Sequence, residues 1–177
     1  MEKVNYKIAK FDGEEYQYLS KIADEFLQKG ETSEKPQLIL ILGGVAAGKS
    51  TLRKQKYDNG YVFVDAGAIY LRLTDNETKK VDRIEDYCQF VGNIILATAI
   101  TKKKNIVVEL IGDNKEHVDY IINGMSKHGY SVNIQGVFGD VMECYQRHLK
   151  QEREGRDDIS SYHTQEGTIS IFASYLN

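Results

Sequence analysis

The stretch from Gln37 to Ser50 constrains this chain more than any other. It opens with Gln37-Leu38-Ile39-Leu40-Ile41-Leu42, a continuous apolar run flanked by Pro36 and Gly43. A run this short predicts a strand buried on both faces, the kind found inside a parallel sheet. Directly after it, Gly43-Gly44-Val45-Ala46-Ala47-Gly48-Lys49-Ser50 fits the pattern G-x-x-x-x-G-K-[ST]. Glycines let the backbone turn tightly, so that successive N–H groups point inward at an anion. A helix beginning near Ser50 aims the positive end of its dipole at the same place. In such a loop the lysine reaches β- and γ-phosphates and the hydroxyl can ligate Mg²⁺. The expected ligand is a purine nucleoside triphosphate, Mg·ATP, bound through Gly43, Gly44, Ala46, Ala47, Gly48, Lys49, Ser50 and Thr51, with Ser50 on the metal.

The strand signature returns at Tyr61 to Asp65, at Asn105 to Leu110 and at Ser131 to Phe138. Helical patterns fill the intervals: Ser50 to Lys56, Arg83 to Lys102, Lys115 to His128, Asp140 to Glu154 and Gln165 to Leu176. A further helix precedes them from Glu14 to Lys29, with Tyr18, Ile22, Phe26 and Leu27 on one face. Strands alternating with helices predict an α/β fold, a doubly wound, mostly parallel sheet between helical layers. Ligands of such sheets sit at the carboxyl ends of the strands, so polar residues that end a strand become site candidates.

Length and charge narrow the classes. At 177 residues the chain has room for one well-buried core. No stretch of eighteen apolar residues occurs, and the start, Met1-Glu2-Lys3-Val4-Asn5-Tyr6, has no apolar signal region; no membrane contact and a cytoplasmic location are expected. Cys88 and Cys144 lie far apart, in no metal-ligand pattern, and read as reduced thiols. The net charge of −3 gives no footprint for a nucleic-acid backbone. The one basic run, Lys102-Lys103-Lys104, falls where a helix should end and complements its dipole. Tyr6, Tyr16 and Tyr18 cluster near the start and are expected to bury against the sheet.

Phosphoryl transfer needs a group to position or deprotonate the acceptor, and cations to neutralise the moving phosphoryl. Asp65 ends the second predicted strand and suits the first role, or else caps a short helix at Ala68 to Leu71. Glu109 sits in Val107-Val108-Glu109-Leu110, a run too apolar to hold an acid for packing alone. It suits an acceptor hydroxyl or a magnesium-bound water. Asp113 reads as a loop or capping residue. Arg147, Lys150, Arg153 and Arg156 recur every three residues and share a helical face, either a solvated stripe or a lid turned to phosphates. Arg53, one turn into the loop's own helix, suits an ion pair in the core or near the phosphates; His163 falls in the lid region.

At these residues the sequence resembles the zeta toxin family of P-loop kinases. Leu42-Gly43-Gly44-Val45-Ala46-Ala47-Gly48-Lys49-Ser50-Thr51-Leu52-Arg53 looks like that family's L-G-G-x-x-x-G-K-[ST]-[ST]-L-R. The likeness continues through the strand ending in Asp65, the Val-Val-Glu strand at Glu109, Lys127-His128-Gly129-Tyr130 and the arginine-bearing lid. It implies a three-layer α/β/α P-loop fold in one kinase domain, with a leading helix and link over residues 1–36 and a core over 37–177 whose lid lies near 147–163. It also implies transfer of the γ-phosphate of ATP to a hydroxyl of a sugar nucleotide such as UDP-N-acetylglucosamine, and a small helical antitoxin as partner. Carried over, Lys49 and Ser50 bind ATP and Mg²⁺, Glu109 holds the acceptor, and Arg147 and Arg156 clamp phosphates. The family's D-x-D-like pair reads here Asp65-Ala66-Gly67, so the usual base position is glycine: either Asp65 takes the role, or the acceptor is a different one, or transfer is lost. Asp65-Ala66-Gly67-Ala68-Ile69-Tyr70 is also similar to the D-x-G-A-[IML]-Y segment of cytidylate kinases. The alternatives are thus a nucleoside monophosphate kinase and a non-catalytic ATP-binding module.

Overall fold

The apolar run Gln37–Leu42 forms strand β1, and its alternating side chains enter two separate cores. Leu38 and Leu40 face one side of the sheet and Ile39 and Ile41 the other, all at 2% exposure or less. The computed structural model describes residues 11–75, 82–153 and 161–176. Within them the order is α1 (Gly13–Leu27), β1, α2 (Lys49–Lys56), β2 (Val62–Phe63), α3 (Ala66–Leu73), α4 (Ile84–Thr101), β3 (Ile106–Leu110), α5 (Lys115–Lys127), β4 (Ser131–Gly136), α6 (Val141–Arg153) and α7 (Ser161–Leu176). The sheet runs β2-β3-β1-β4, and every neighbouring pair is parallel.

This is the predicted α/β fold, with unequal helical layers. On one face α2 packs on β1 and β3, with Leu52, Tyr57, Tyr61 and Phe63 against Ile39, Ile41 and Val107. On the other, α1, α3, α4, α5 and α7 bury the larger core, in which Ile95, Leu96 and Phe172 are inaccessible. The connection leaving β1 enters α2 on the first face, and the one leaving β3 enters α5 on the second. The adjacent strands β1 and β3 therefore form a switch point, where a crevice opens at their carboxyl ends. Among the described residues no helix is long and apolar enough to cross a membrane.

Three expectations are corrected. The second strand is confined to Val62–Phe63, because the chain leaves the ladder early and Asp65 caps α3 instead. The last helix begins at Ser161, one turn before Gln165, which brings Thr164 into a regular element. Tyr16 and Tyr18 are 54% and 48% exposed rather than buried against the sheet. The buried face of α1 is Leu19, Ile22, Ala23 and Leu27, turned toward α4, which leaves Tyr18 on the rim and Tyr16 edge-on to Phe90 at 5.8 Å. Tyr6 lies outside the described residues. Both cysteines are free thiols, as predicted.

Candidate active site

The loop between β1 and α2 curves through two left-handed residues, Ala46 (φ 54°) and Gly48 (φ 104°). At Gly48 the turn demands glycine, since its φ lies where side chains are disfavoured, and it delivers the chain into α2 without a side-chain cap. The N–H groups of the first turn of α2 thus keep the unpaired, positive character of any helix start. The Lys49 ammonium donates to the carbonyls of Gly43 at 2.7 Å and Gly44 at 2.8 Å. Burial lowers its pKa, against the opposing pull of Glu109, Asp65 and Cys144.

Glu109 sits beside Ile41 in the β1–β3 register and turns toward α2. One carboxylate oxygen accepts from the Ser50 hydroxyl at 2.7 Å, and the other from Arg53 Nε at 2.6 Å. The Arg53 guanidinium also lies 3.9 Å above the centroid of the Phe63 ring and 3.6 Å from Asp58. The acid that packing could not explain is therefore held by a buried ion pair at the end of β3 and the first turns of α2. Arg53 forms the expected interior ion pair and also lines the cleft.

Asp65 takes the capping place and also faces the cleft. Its Oδ1 accepts from the Ala68 N–H at 2.7 Å, capping α3, and the residue lines the cleft at 9% exposure. Burial pushes its pKa up to about 6; the Ala68 N–H works against that shift, and the Glu109 charge adds to it. Arg147, from α6, reaches over the loop to donate to the Ala46 carbonyl at 3.2 Å and pairs with Glu143 at 2.8 Å. Arg156 and the side chain of His163 lie outside the described residues. Arg153, on the last turn of α6, is exposed. Asp113 is a loop residue that accepts from Gln165, and the neighbouring Asn114 caps α5.

These groups surround one cleft of about 530 Å³, bordered by residues 45–51, by Arg53, Asp65, Glu109 and Arg147, and by α7. The contribution of α7 is what sequence reasoning missed. Gln165 accepts from the N–H groups of Ile111 and Gly112 and donates to Asp113, tying down the loop after β3. The Thr168 hydroxyl accepts from the Ala66 N–H at 3.0 Å. Thr164 fills the space beside Gly67, where an added Cβ would lie 2.9 Å from its hydroxyl. The available signal was the spacing Thr164, Gln165, Thr168, a polar strip on a helix otherwise rich in Ile169, Ile171 and Phe172.

Residues 23–168 match the sequence model of the zeta toxin family (Zeta toxin). No curated protein sequence matches the chain. Among solved structures, the fold resembles a chain of the PezAT chromosomal toxin–antitoxin system of the human pathogen Streptococcus pneumoniae. That match has a TM-score of 0.60 and 16% identity, and covers 96% of this chain and 76% of that one. It also resembles a chain of the Pnkp1/Rnl/Hen1 RNA repair complex, with a TM-score of 0.56 and 12% identity, over 81% of this chain and 46% of that one. At these identities the structural likenesses establish the fold.

Proposed function

Because the chain belongs to the zeta toxin family, we propose that it is an ATP-dependent kinase that moves the γ-phosphate to a hydroxyl of a small acceptor, a sugar nucleotide such as UDP-N-acetylglucosamine. The observation that carries this reading is the convergence of Asp65 and Glu109 on the cleft that the phosphate loop opens into. A structural nucleotide site needs the loop but has no use for two carboxylates at its mouth, one held near a pKa of about 6.

Placement supports the following roles. Residues 43–51 cradle the phosphates with backbone N–H groups, and Lys49 exchanges its two loop carbonyls for phosphate oxygens. The Ser50 hydroxyl, together with the carboxylate oxygens beside it, offers the hard oxygen donors that magnesium prefers, the rest coming from phosphates and water. Bound there, magnesium would neutralise charge on the phosphates. Glu109, fixed by Arg53, positions the acceptor hydroxyl, and Asp65 takes its proton. Arg147, already over the loop, clamps phosphate oxygens, and Arg156 is assigned the same task by the family pattern. The likeness to a toxin–antitoxin protein supports an antitoxin as the protein partner.

Transfer from labelled Mg·ATP into UDP-N-acetylglucosamine, other sugar nucleotides, CMP, UMP and dCMP tests this, with Lys49→Ala as the blank. Label in a sugar nucleotide, absent with Lys49→Ala, is the expected outcome. Label confined to a monophosphate would replace it with the nucleoside monophosphate kinase reading, which the Asp65–Tyr70 segment keeps in play. ATP binding with no label in any acceptor would leave a non-catalytic module.

A further inference from the structure

Strands β2 and β3 run side by side but part just before Asp65. Among the described residues their last backbone bond runs from the Val64 N–H to the Val107 carbonyl, at 3.1 Å. Asp65 follows directly, as the cap of α3, where the chain has left the sheet. Glu109 stays within it, because β3 remains in register with β1 as far as Leu110. The sheet therefore fixes Glu109 and leaves Asp65 without a ladder partner.

One turn of α7 bridges that gap. The Thr168 side chain, wholly buried, accepts from the Ala66 N–H at 3.0 Å, one residue past Asp65. Gln165, three positions earlier and so on the same helical face, turns its whole amide to the loop that follows Glu109. Its carbonyl oxygen accepts from the Ile111 N–H at 2.7 Å and the Gly112 N–H at 3.3 Å, and its amide nitrogen donates to Asp113 at 2.9 Å. Ala66 opens α3, and Ile111 and Gly112 lie past the end of β3, so these N–H groups stand where regular structure supplies no acceptor. The same loop reaches the phosphate loop, since the Leu110 carbonyl accepts from the Gly43 N–H at 3.2 Å. One turn further on, α7 sets Ile171 and Phe172 into the large core, so the polar strip stands on a rigid support.

We propose that Gln165 and Thr168 are positioning residues, which clamp the segments after Glu109 and after Asp65 to one turn of α7 and so hold the two carboxylates at a fixed separation across the cleft. They act through the two acids rather than on the acceptor. This assignment rests on the kinase reading for what the acids do, while the clamp itself is measurable without turnover.

Amide exchange of the wild-type protein reads the clamp directly. Slow exchange is expected at Ala66, Ile111 and Gly112, and exchange as fast as that of an open loop would overturn the clamp. That readout needs no variant, so it holds even where a variant fails to fold. Transfer kinetics then read the positioning. Thr168→Val keeps the shape and removes the acceptor for the Ala66 N–H, Gln165→Leu removes the bonds to the loop, and Thr168→Ser keeps the hydroxyl. Thr168→Val and Gln165→Leu should each lower kcat by about 10- to 100-fold with the KM for ATP within about threefold of the wild type, because a misplacement of about 1 Å suffices for such a loss. Thr168→Ser should stay within about threefold of the wild-type kcat. Lower stability in urea with kcat unchanged in Thr168→Val and Gln165→Leu would make α7 a packing element only and overturn the proposal. If the wild type labels no acceptor, the kinase reading falls, and the clamp is judged on the Asp65 carboxyl, titrated by carbon NMR. A midpoint that falls from about 6 toward the ordinary aspartate range in Thr168→Val, as water reaches the released carboxylate, and holds in Thr168→Ser keeps the clamp. A midpoint unmoved in Thr168→Val removes it.

Discussion

Asp65 carries two obligations that pull its ionisation in opposite directions. The cap on α3 is strongest when the carboxylate is charged, and burial in the cleft resists that charge; burial prevails, leaving the pKa at about 6. Because the folded-state value lies above the unfolded value of 3.8, the folded chain binds this proton more tightly than the unfolded chain. The stabilisation is complete below the unfolded value and is lost as pH rises through about 6, a loss on the order of 3 kcal/mol. Asparagine caps a helix as well as aspartate does and carries no charge. Asp65→Asn should therefore match the wild type in urea unfolding at about pH 4 and exceed it at about pH 7. Its transfer rate should fall by about 10²–10⁴-fold, the usual contribution of a general base. In the wild type that rate should climb with pH until Asp65 is ionised. A variant that is less stable than the wild type at about pH 7, or a rate that declines with pH through this window, would show that Asp65 is a capping residue only.

Among the elements, α7 decides what the start of α3 can hold. Gly67 is buried, and a methyl group built on it would sit 2.9 Å from the Thr164 hydroxyl and 3.0 Å from its methyl carbon. A side chain at this position would therefore meet Thr164 and the Asp65 carboxylate. Gly67→Ala should cost about 1–3 kcal/mol, the usual range for overpacking. Thr164→Ala removes both clashing atoms, so the double variant should recover most of that loss, a coupling that a double-mutant cycle in urea reads directly. Additive losses would mean that the two helices separate easily. This approach of α7 to α3 was not legible in the sequence, because it depends on residues about one hundred positions apart. The phosphate loop was legible, since its apolar strand, glycines and helix start are contiguous and each acts locally. Glu109 was legible too, as a charge in an otherwise apolar strand, although its partners Ser50 and Arg53 lie more than fifty residues away. The tyrosines of α1 misled, because aromatic content alone does not say which face of a helix meets its neighbour; that was set by Leu19, Ile22, Ala23 and Leu27.

For the whole molecule the open question is the size of the acceptor. The fold is similar to that of a toxin–antitoxin system chain and of an RNA repair complex chain, so topology alone does not set that size. Charge and its placement bear on it. The chain carries a net charge of −3, and its one basic run, Lys102–Lys104, precedes β3 at the amino edge of the sheet, opposite the cleft. There the Lys104 ammonium donates to the Gly30 carbonyl. In the hollow between α1, α2 and α3, Lys29, Arg53 and Arg72 are paired with acids. Toward the amino edge of the sheet and toward the hollow between α1, α2 and α3 the cations of the described residues form no continuous line; Arg147, Lys150 and Arg153 on α6 are the cationic row beside the cleft. A protein that makes six to ten phosphate contacts loses about 10³–10⁵ in affinity between about 50 and 200 mM salt. Here the KM for the acceptor should change by less than about threefold over the same range, since only the few phosphates of a small nucleotide would be engaged. A collapse of acceptor binding with salt would place a polymer in the cleft and remove the sugar nucleotide from consideration. A flat response, with turnover intact, would keep the acceptor a small molecule that engages few phosphate contacts in the cleft.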